Sequence, residues 1–320
     1  MAALGETGEA DEAVAVKDPL TMAPATAPRQ AESPLRRLAS DFVANPIAVF
    51  GLALFGIILF LALFAPLISP QNPYDLAQLD IMDARLEPGA LSANGQRFWL
   101  GTDDQGRDML SAIFYGLRIS LAVGITSTIL ALCIGLTMGL LAAYAGGRVE
   151  SIVMRIVDIQ LSFPAILIAL ILIAVLGHGT GKVIAALVTI QWAYYARTVR
   201  SAALVERRKE YMEAARCLAL PPSRIVFRHL LPNCLPPLIV VATVQVAAAI
   251  ALEATLSFLG LGLPITEPSL GLLIANGYQY LLSGKYWISF FPGIALLCTI
   301  VSINLVADQL RDVLNPRLHR

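Results

Sequence analysis

ISLAVGITSTILALCIGLTMGLLAAYAGG, residues 119–147, runs for 29 positions between Arg118 and Arg148 without an acidic or basic side chain. Crossing about 30 Å of hydrocarbon takes roughly 20 apolar residues in a helix, so this segment alone is long enough to span a bilayer. Working outward, residues 42–74 are charge-free, and 46–68 are nearly continuous Ile, Leu, Phe and Ala. A third run follows Asp158 and covers 159–181. The fourth, 183–196, is the shortest at 14 residues and ends at Arg197 and Arg200, whose long side chains snorkel to an interface. The fifth, 235–263, is interrupted only by Glu253, and the last, 286–307, is bounded by Lys285 and Asp308. These runs predict an all-α polytopic membrane protein with six transmembrane helices.

Composition agrees. The 320 residues are 57% hydrophobic and 14% charged, whereas soluble proteins carry about 25% charged residues. The 23 basic and 23 acidic residues cancel, which argues against a nucleic-acid partner, and the hydrophobicity excludes disorder over most of the chain. Cys133, Cys217, Cys234 and Cys298 lie far apart with no CxxC pair, so neither a zinc site nor a disulfide framework is expected.

Orientation follows from the basic residues. With a cytoplasmic N-terminus, 17 of the 23 fall on the inside; only Arg85, Arg97, Arg107, Arg118, Lys182 and Lys285 are outside. The positive-inside rule then predicts both termini in the cytoplasm, as an even number of spans requires. Residues 1–34, rich in Ala, Glu, Pro and Thr, read as a disordered cytoplasmic tail. Their acidic start and missing apolar h-region argue against a signal peptide, so the first run is an uncleaved anchor. The expected organisation is that tail, an N-terminal region with the first helix (35–70) and an extracytoplasmic loop (71–118). A core of five helices (119–310) with a cytoplasmic loop at 197–232 and a short C-terminus (311–320) complete it.

Enzymatic signatures are missing: no HExxH, no GxSxG, and three histidines, His178, His229 and His319, without ligand spacing. GHGTGKV, residues 177–183, imitates a phosphate loop, but three residues separate its outer glycines and Val183 stands where Ser or Thr must reach Mg²⁺. No cofactor, metal or catalytic residue is expected. The extracytoplasmic loop is acidic; in DDQGRD, Asp103, Asp104 and Asp108 surround Arg107 without the spacing of a calcium loop. Hydrogen bonding to Arg107 or Arg118 is the expected role. Glu253 is the one carboxylate inside a span; it either lines a translocation path or meets a polar group of a partner subunit. Gly135 and Gly139 form a GxxxG pair suited to close helix packing, including packing against another subunit.

The loop 197–232 holds eight basic residues and a helix-forming stretch, EYMEAARCLA (210–219), ended by Pro221 and Pro222. Ser223 is positioned to cap a second short helix, and Pro232 marks entry into the fifth span. A stiff helix outside the membrane suits docking into a groove on a partner; an ordinary solvated loop with orienting charge is the other reading.

EAARCLALPPSRIVFRHLLPN, residues 213–233, resembles the EAA loop of ABC-importer permease subunits. WLGTDDQGRDMLSAIFYGLRISLAVG (99–124), EATLSFLGLGLP (253–264) and NLVADQLRDVLNPRL (304–318) resemble the second-subunit permeases of the dipeptide, oligopeptide and nickel branch, and the likeness covers about residues 33–318. The family commonly has Gly where this chain has Ala219 and Ala307, and a polar pair where it has Pro221 and Pro222. The resemblance implies a type I importer fold in a bacterial inner membrane, moving peptides or related solutes by alternating access. Nickel complexes, glutathione and opines stay open as substrates, and a self-sufficient channel or secondary carrier is the alternative class. Implied partners are a second permease subunit, two cytoplasmic ATPases, an extracytoplasmic binding protein and membrane lipid. Glu213, Ala214, Ala215, Arg216 and Ala219 would form the ATPase-coupling helix. Glu213 would pair with a basic ATPase residue or, within its own helix, with Arg216.

Overall fold

The longest element, α2 (Met109–Ala145), turns the quoted run into a rod of 37 residues, about 55 Å at 1.5 Å per residue. The structure is a computed structural model and describes residues 40–92, 95–264, 266–267 and 269–314; the expectations for 1–34 and for the end of the chain lie largely outside these. α2 begins ten residues before the charge-free run because Asp108 caps it, its carboxylate accepting from the Ser111 N–H at 2.9 Å. Arg118 therefore lies on the helix and does not bound it.

α1 (Pro46–Leu63) starts at Asn45, whose side chain accepts from the Ile47 N–H, with Pro46 in the first turn where its missing N–H costs nothing. α1 rests on the last helix, α9 (Trp287–Leu314): a Cβ at Gly51 would lie 2.6 Å from Leu305 Cβ, and Asn45 Nδ2 donates to Gln309 Oε1 at 2.7 Å.

The third run departs from expectation. Only residues 159–161 of it belong to α3 (Gly147–Leu161), and the helix that follows the break is the shorter α4 (Ala165–Leu176), bent by 92° from α3. Pro164 heads α4 and disfavours helical backbone at the residue before it, which breaks the segment. At 12 residues, α4 reaches about 18 Å. The fourth run instead grows into α5 (Thr180–Glu206), 27 residues long. Lys182, Gln191, Arg197 and Arg200 dilute its apolarity. Among the described residues four helices are long and apolar enough to cross a membrane, or five if the bent pair counts as one. The count of six is thus not reached on length and composition, although all six runs are helical.

The GxxxG pair is used within the chain. A Cβ at Gly135 would meet Trp192 O and Tyr195 Cβ, each at 2.5 Å, and one at Gly139 would meet Ala196 O and Val199 Cβ, each at 2.7 Å. So α2 and α5 touch backbone to backbone, and this seam is not free for another subunit. Gly124 makes room for α7 (Leu231–Phe258), where a Cβ would lie 2.7 Å from the Ile250 side chain.

α7 also enters earlier than expected. Helical chain begins at Pro222, and Ser223 caps nothing; residues Ile225–Leu230 form a π-helical turn running straight into α7. The Leu231 N–H reaches back five residues to Val226 O. Pro232 has no N–H to give the usual bond, and the wider turn absorbs that loss. A short helix, α8 (Leu270–Tyr278), is wedged between α7 and α9: Cβ atoms at Gly271 and Gly277 would lie 2.3 Å from Ala254 O and 2.4 Å from Ser289 N.

Candidate functional site

At one end of the bundle, α6 (Glu210–Cys217) connects α5 to the π turn. Its sequence has two faces. Met212 and Ala215, three residues apart, are buried in one apolar cluster with Leu140 and Ala143 of α2, Val199 and Ala203 of α5, and Ile225 and Leu230 of the returning chain. Enclosing the Met212 side chain contributes about 1.5–3 kcal/mol. Glu213, Ala214, Arg216 and Cys217 face outward, followed by Leu218 with 73% of its surface exposed. Of the five residues expected on this helix, Ala215 thus turns inward and four turn out or continue past its end. Among the described residues no ion pair joins Glu213 to Arg216 or to any other cation.

The helix stops in a Schellman motif. Ala219 N–H donates to Arg216 O at 2.9 Å and Leu220 N–H to Ala215 O at 3.2 Å, which requires left-handed backbone at Ala219, φ +53°. Alanine holds this conformation at a cost of about 1 kcal/mol relative to glycine. Beside it, Lys209 pairs with Glu206 at 2.6 Å and the Tyr211 hydroxyl donates to Glu206 at 2.7 Å. Burial, then the Glu206 hydrogen bond and charge, push the Tyr211 phenol up to about 12, so it stays a donor throughout physiological pH.

The acidic motif at the other end is built inward. The Asp103 carboxylate accepts from the backbone N–H of Gln105 and of Arg107, each at 2.9 Å, and from Arg107 Nε at 2.6 Å; both side chains are essentially fully buried. Asp108 accepts from the Ser111 hydroxyl at 2.6 Å, and its own N–H donates to Gln71 Oε1 at 2.6 Å. Burial raises both Asp104 and Asp108 above the usual carboxylate range, in Asp104 with Asp103 as a second cause. Gly106, at φ +77°, lets the turn pass so close to Asp80 that a Cβ would lie 2.2 Å from its carbonyl. Arg107, not the exposed Arg118, is the partner. Among the described residues, no group of three or more His, Cys, Asp or Glu is placed to hold a metal ion.

Glu253 is fully buried. Its carboxylate accepts from Ser120 of α2 at 3.0 Å and Ser257 of α7 at 2.8 Å. Each of its oxygens is engaged by a hydroxyl of its own chain.

With the helices and these sites described, the likeness to known proteins is specific. Residues 135–320 match the family "Binding-protein-dependent transport system inner membrane component", and residues 33–88 match the "N-terminal TM domain of oligopeptide transport permease C". The chain belongs to this transport-permease family. The permease is 41% identical over 287 residues to the dipeptide transport system permease protein of Escherichia coli K12, covering 89% of this chain and 94% of that one. It is 37% identical over 287 residues to the di/tripeptide transport system permease protein of Pseudomonas aeruginosa, covering 89% and 93%. A chain of the MetNI methionine ABC transporter, solved in inward-facing conformations, shares the fold with TM-score 0.54 and 24% identity, over 65% of this permease and 98% of that chain. It is therefore a multi-pass inner-membrane transport permease of the second-subunit peptide type, all-α as expected.

Sequence reading missed the ties that brace α5 of this permease. Arg200 pairs with Glu150 and Arg197 with Asp158, each at 2.5 Å, and Trp192 Nε1 donates to Gln160 Oε1 at 2.9 Å. The signal was present: α3 alternates polar and apolar residues as an amphipathic helix, and its acids match two arginines three apart on α5.

Proposed function

We propose that this permease is the membrane-spanning subunit of an ATP-driven importer of dipeptides, tripeptides or closely related solutes, and that α6 receives the push of cytoplasmic ATPases. The observation that carries this is the division of α6 into an anchored inner face and an outer face whose Glu213 and Arg216 have no ion-pair partner among the described residues. Anchoring through Met212 and Ala215 couples any movement of α6 to the ends of α2 and α5. The Glu213 carboxylate, Arg216 and exposed Leu218 supply charge for register and an apolar contact for a groove. Alternating access would follow as the helices tilt. The substrate class rests on the named activities of the relatives, and a second permease, two ATPases and an extracytoplasmic binding protein complete the assembly. Glu253 serves this reading as a tie between α2 and α7.

Both termini and α6 lie in the cytoplasm in this reading. The exposed thiol of Cys217 tests that: a membrane-impermeant maleimide labels it in inverted vesicles and not in intact cells. Labelling from outside would reverse the topology. For coupling, a Glu213→Lys, Leu218→Asp double variant reaches the membrane and unfolds at the wild-type temperature, but loses co-purifying ATPase and ATP-driven uptake of a labelled dipeptide in proteoliposomes. Full ATPase retention by that variant would overturn the assignment of α6, and uptake without ATP would overturn the importer reading.

A further inference from the structure

The middle of the bundle holds three enclosed polar side chains whose hydrogen-bonding capacity the chain does not fill. Thr128 on α2 is 4% exposed, and Gln191 and Tyr195 on α5 are 3% and 0% exposed. Thr128 Oγ1, Gln191 Oε1 and Tyr195 OH each lack a partner among the described residues. Gln191 and Tyr195, four residues apart, share one face of α5. Thr128 stands beside the Tyr195 phenol without either oxygen completing a bond to the other. Gln191 Nε2 donates to Gln245 O of α7 at 2.9 Å, which fixes the amide orientation and leaves its oxygen as the free end. So the three atoms belong to one seam, where α2, α5 and α7 meet.

Elsewhere this seam is tight, because Gly135 and Gly139 bring α5 onto α2 two and three turns further along. Surrounded by hydrocarbon, no bulk water relieves an unfilled polar atom, and three at one place are too costly to persist. The chemistry of the atoms defines the occupant. The amide oxygen only accepts, so the occupant must donate; the hydroxyls do either. No charged side chain acts on Tyr195, so a cation would lack a countercharge there. Glu253, eight residues from Gln245 along α7, lies about 12 Å away along the helix axis. A small neutral molecule that both donates and accepts is what remains, and a buried water bridging about three polar groups is of that kind.

We propose that the α2–α5–α7 seam is an internal hydration site in which bound water bridges Thr128, Gln191 and Tyr195. At this level α5 is tied to its neighbours through an exchangeable molecule, whereas at the glycines it is held by direct contact. The inference does not depend on the transport reading.

The test uses the full-length chain with its co-purifying subunits in lipid nanodiscs, pre-equilibrated in ¹⁸O-water and exposed to millisecond X-ray pulses. Radiolysis of bound water oxidises the side chains it touches. Normalised for intrinsic reactivity, Tyr195 is expected to take up ¹⁸O several-fold faster than the equally buried Leu187 and Ile250. A Thr128→Val, Gln191→Met double variant is expected to lower Tyr195 labelling several-fold while leaving those two unchanged. Tyr195→Phe is expected to lower the unfolding temperature, since it removes a filled hydrogen-bonding position. Tyr195 labelling at the rate of Leu187 would overturn the proposal, as would labelling indifferent to the double variant. A raised unfolding temperature for Tyr195→Phe, the mark of an empty site relieved, would do so as well. Labelling suppressed by sodium and restored by its removal would replace water with a cation.

Discussion

Two short charged motifs lie at opposite ends of the bundle, and they use their charges in opposite ways. DDQGRD directs its carboxylates inward: Asp103 is saturated by two backbone N–H groups and Arg107, and Asp108 caps α2. The motif around α6 directs Glu213 and Arg216 outward, and is held instead by Met212 and Ala215 beneath them. A charge that is consumed internally sets structure, and a charge held on a rigid platform without a partner is available to another molecule. The first is predicted to be sensitive in stability and silent in recognition; the second, the reverse.

The sharpest way to break this comparison is Asp103→Ala. It takes the carboxylate away from the buried Arg107 and is expected to cost about 3–5 kcal/mol, read as loss of membrane-level protein or a large drop in unfolding temperature. A change within 1 kcal/mol would mean that the motif is not the structural member of the pair. Met212→Ala is next, at about 2–4 kcal/mol, because it removes the platform under α6; thermal unfolding should fall and coupling with it. Ala219→Gly has the opposite sign, a gain of about 1 kcal/mol from relieved left-handed backbone, and uptake is expected to hold. Glu213→Gln is the smallest in stability, within about 0.5 kcal/mol, yet ATP-driven uptake is expected to fall markedly. A parallel fall in unfolding temperature would place Glu213 among the structural charges.

A pH series adds a sign. Burial raises the folded-state values of Asp104 and Asp108, so protonation favours the folded form. Their contribution is fully present below the ordinary aspartate range and is lost as pH rises through the raised values. Hydrogen exchange at the Gln105–Asp108 amides is expected to speed up over that window beyond its intrinsic pH dependence.

The apolar runs were legible because hydropathy over some 20 residues is decided by composition alone, whatever the neighbours. Their limits were not. Arg118 hid the first ten residues of α2, since a charge at a span boundary and a charge on a helix read alike. Pro164 divided the third run because backbone geometry overrides an unbroken hydropathy signal. The EAA stretch was placed on a helix, but the sequence did not say that Ala215 turns inward while Ala214 turns out; that depends on where Met212 finds its pocket. The GxxxG pair announced close packing without naming α5 as its partner, and the pair of hydroxyls on Glu253 draws on Ser120, 133 residues away along the chain. The brace between α3 and α5 depends in the same way on pairings fixed only by the tertiary arrangement.

One property of α2 links the two ends. It is a single unbroken rod that starts at the Asp108 cap and, near its far end, places Leu140 and Ala143 in the same apolar cluster as Met212 and Ala215. Between those ends it is held against α5 at Gly135 and Gly139, against α7 at Gly124, and to Glu253 through Ser120. A bar clamped at several levels moves only together with what it is clamped to, so α2, α5 and α7 make one stiff column between α6 and the DDQGRD motif.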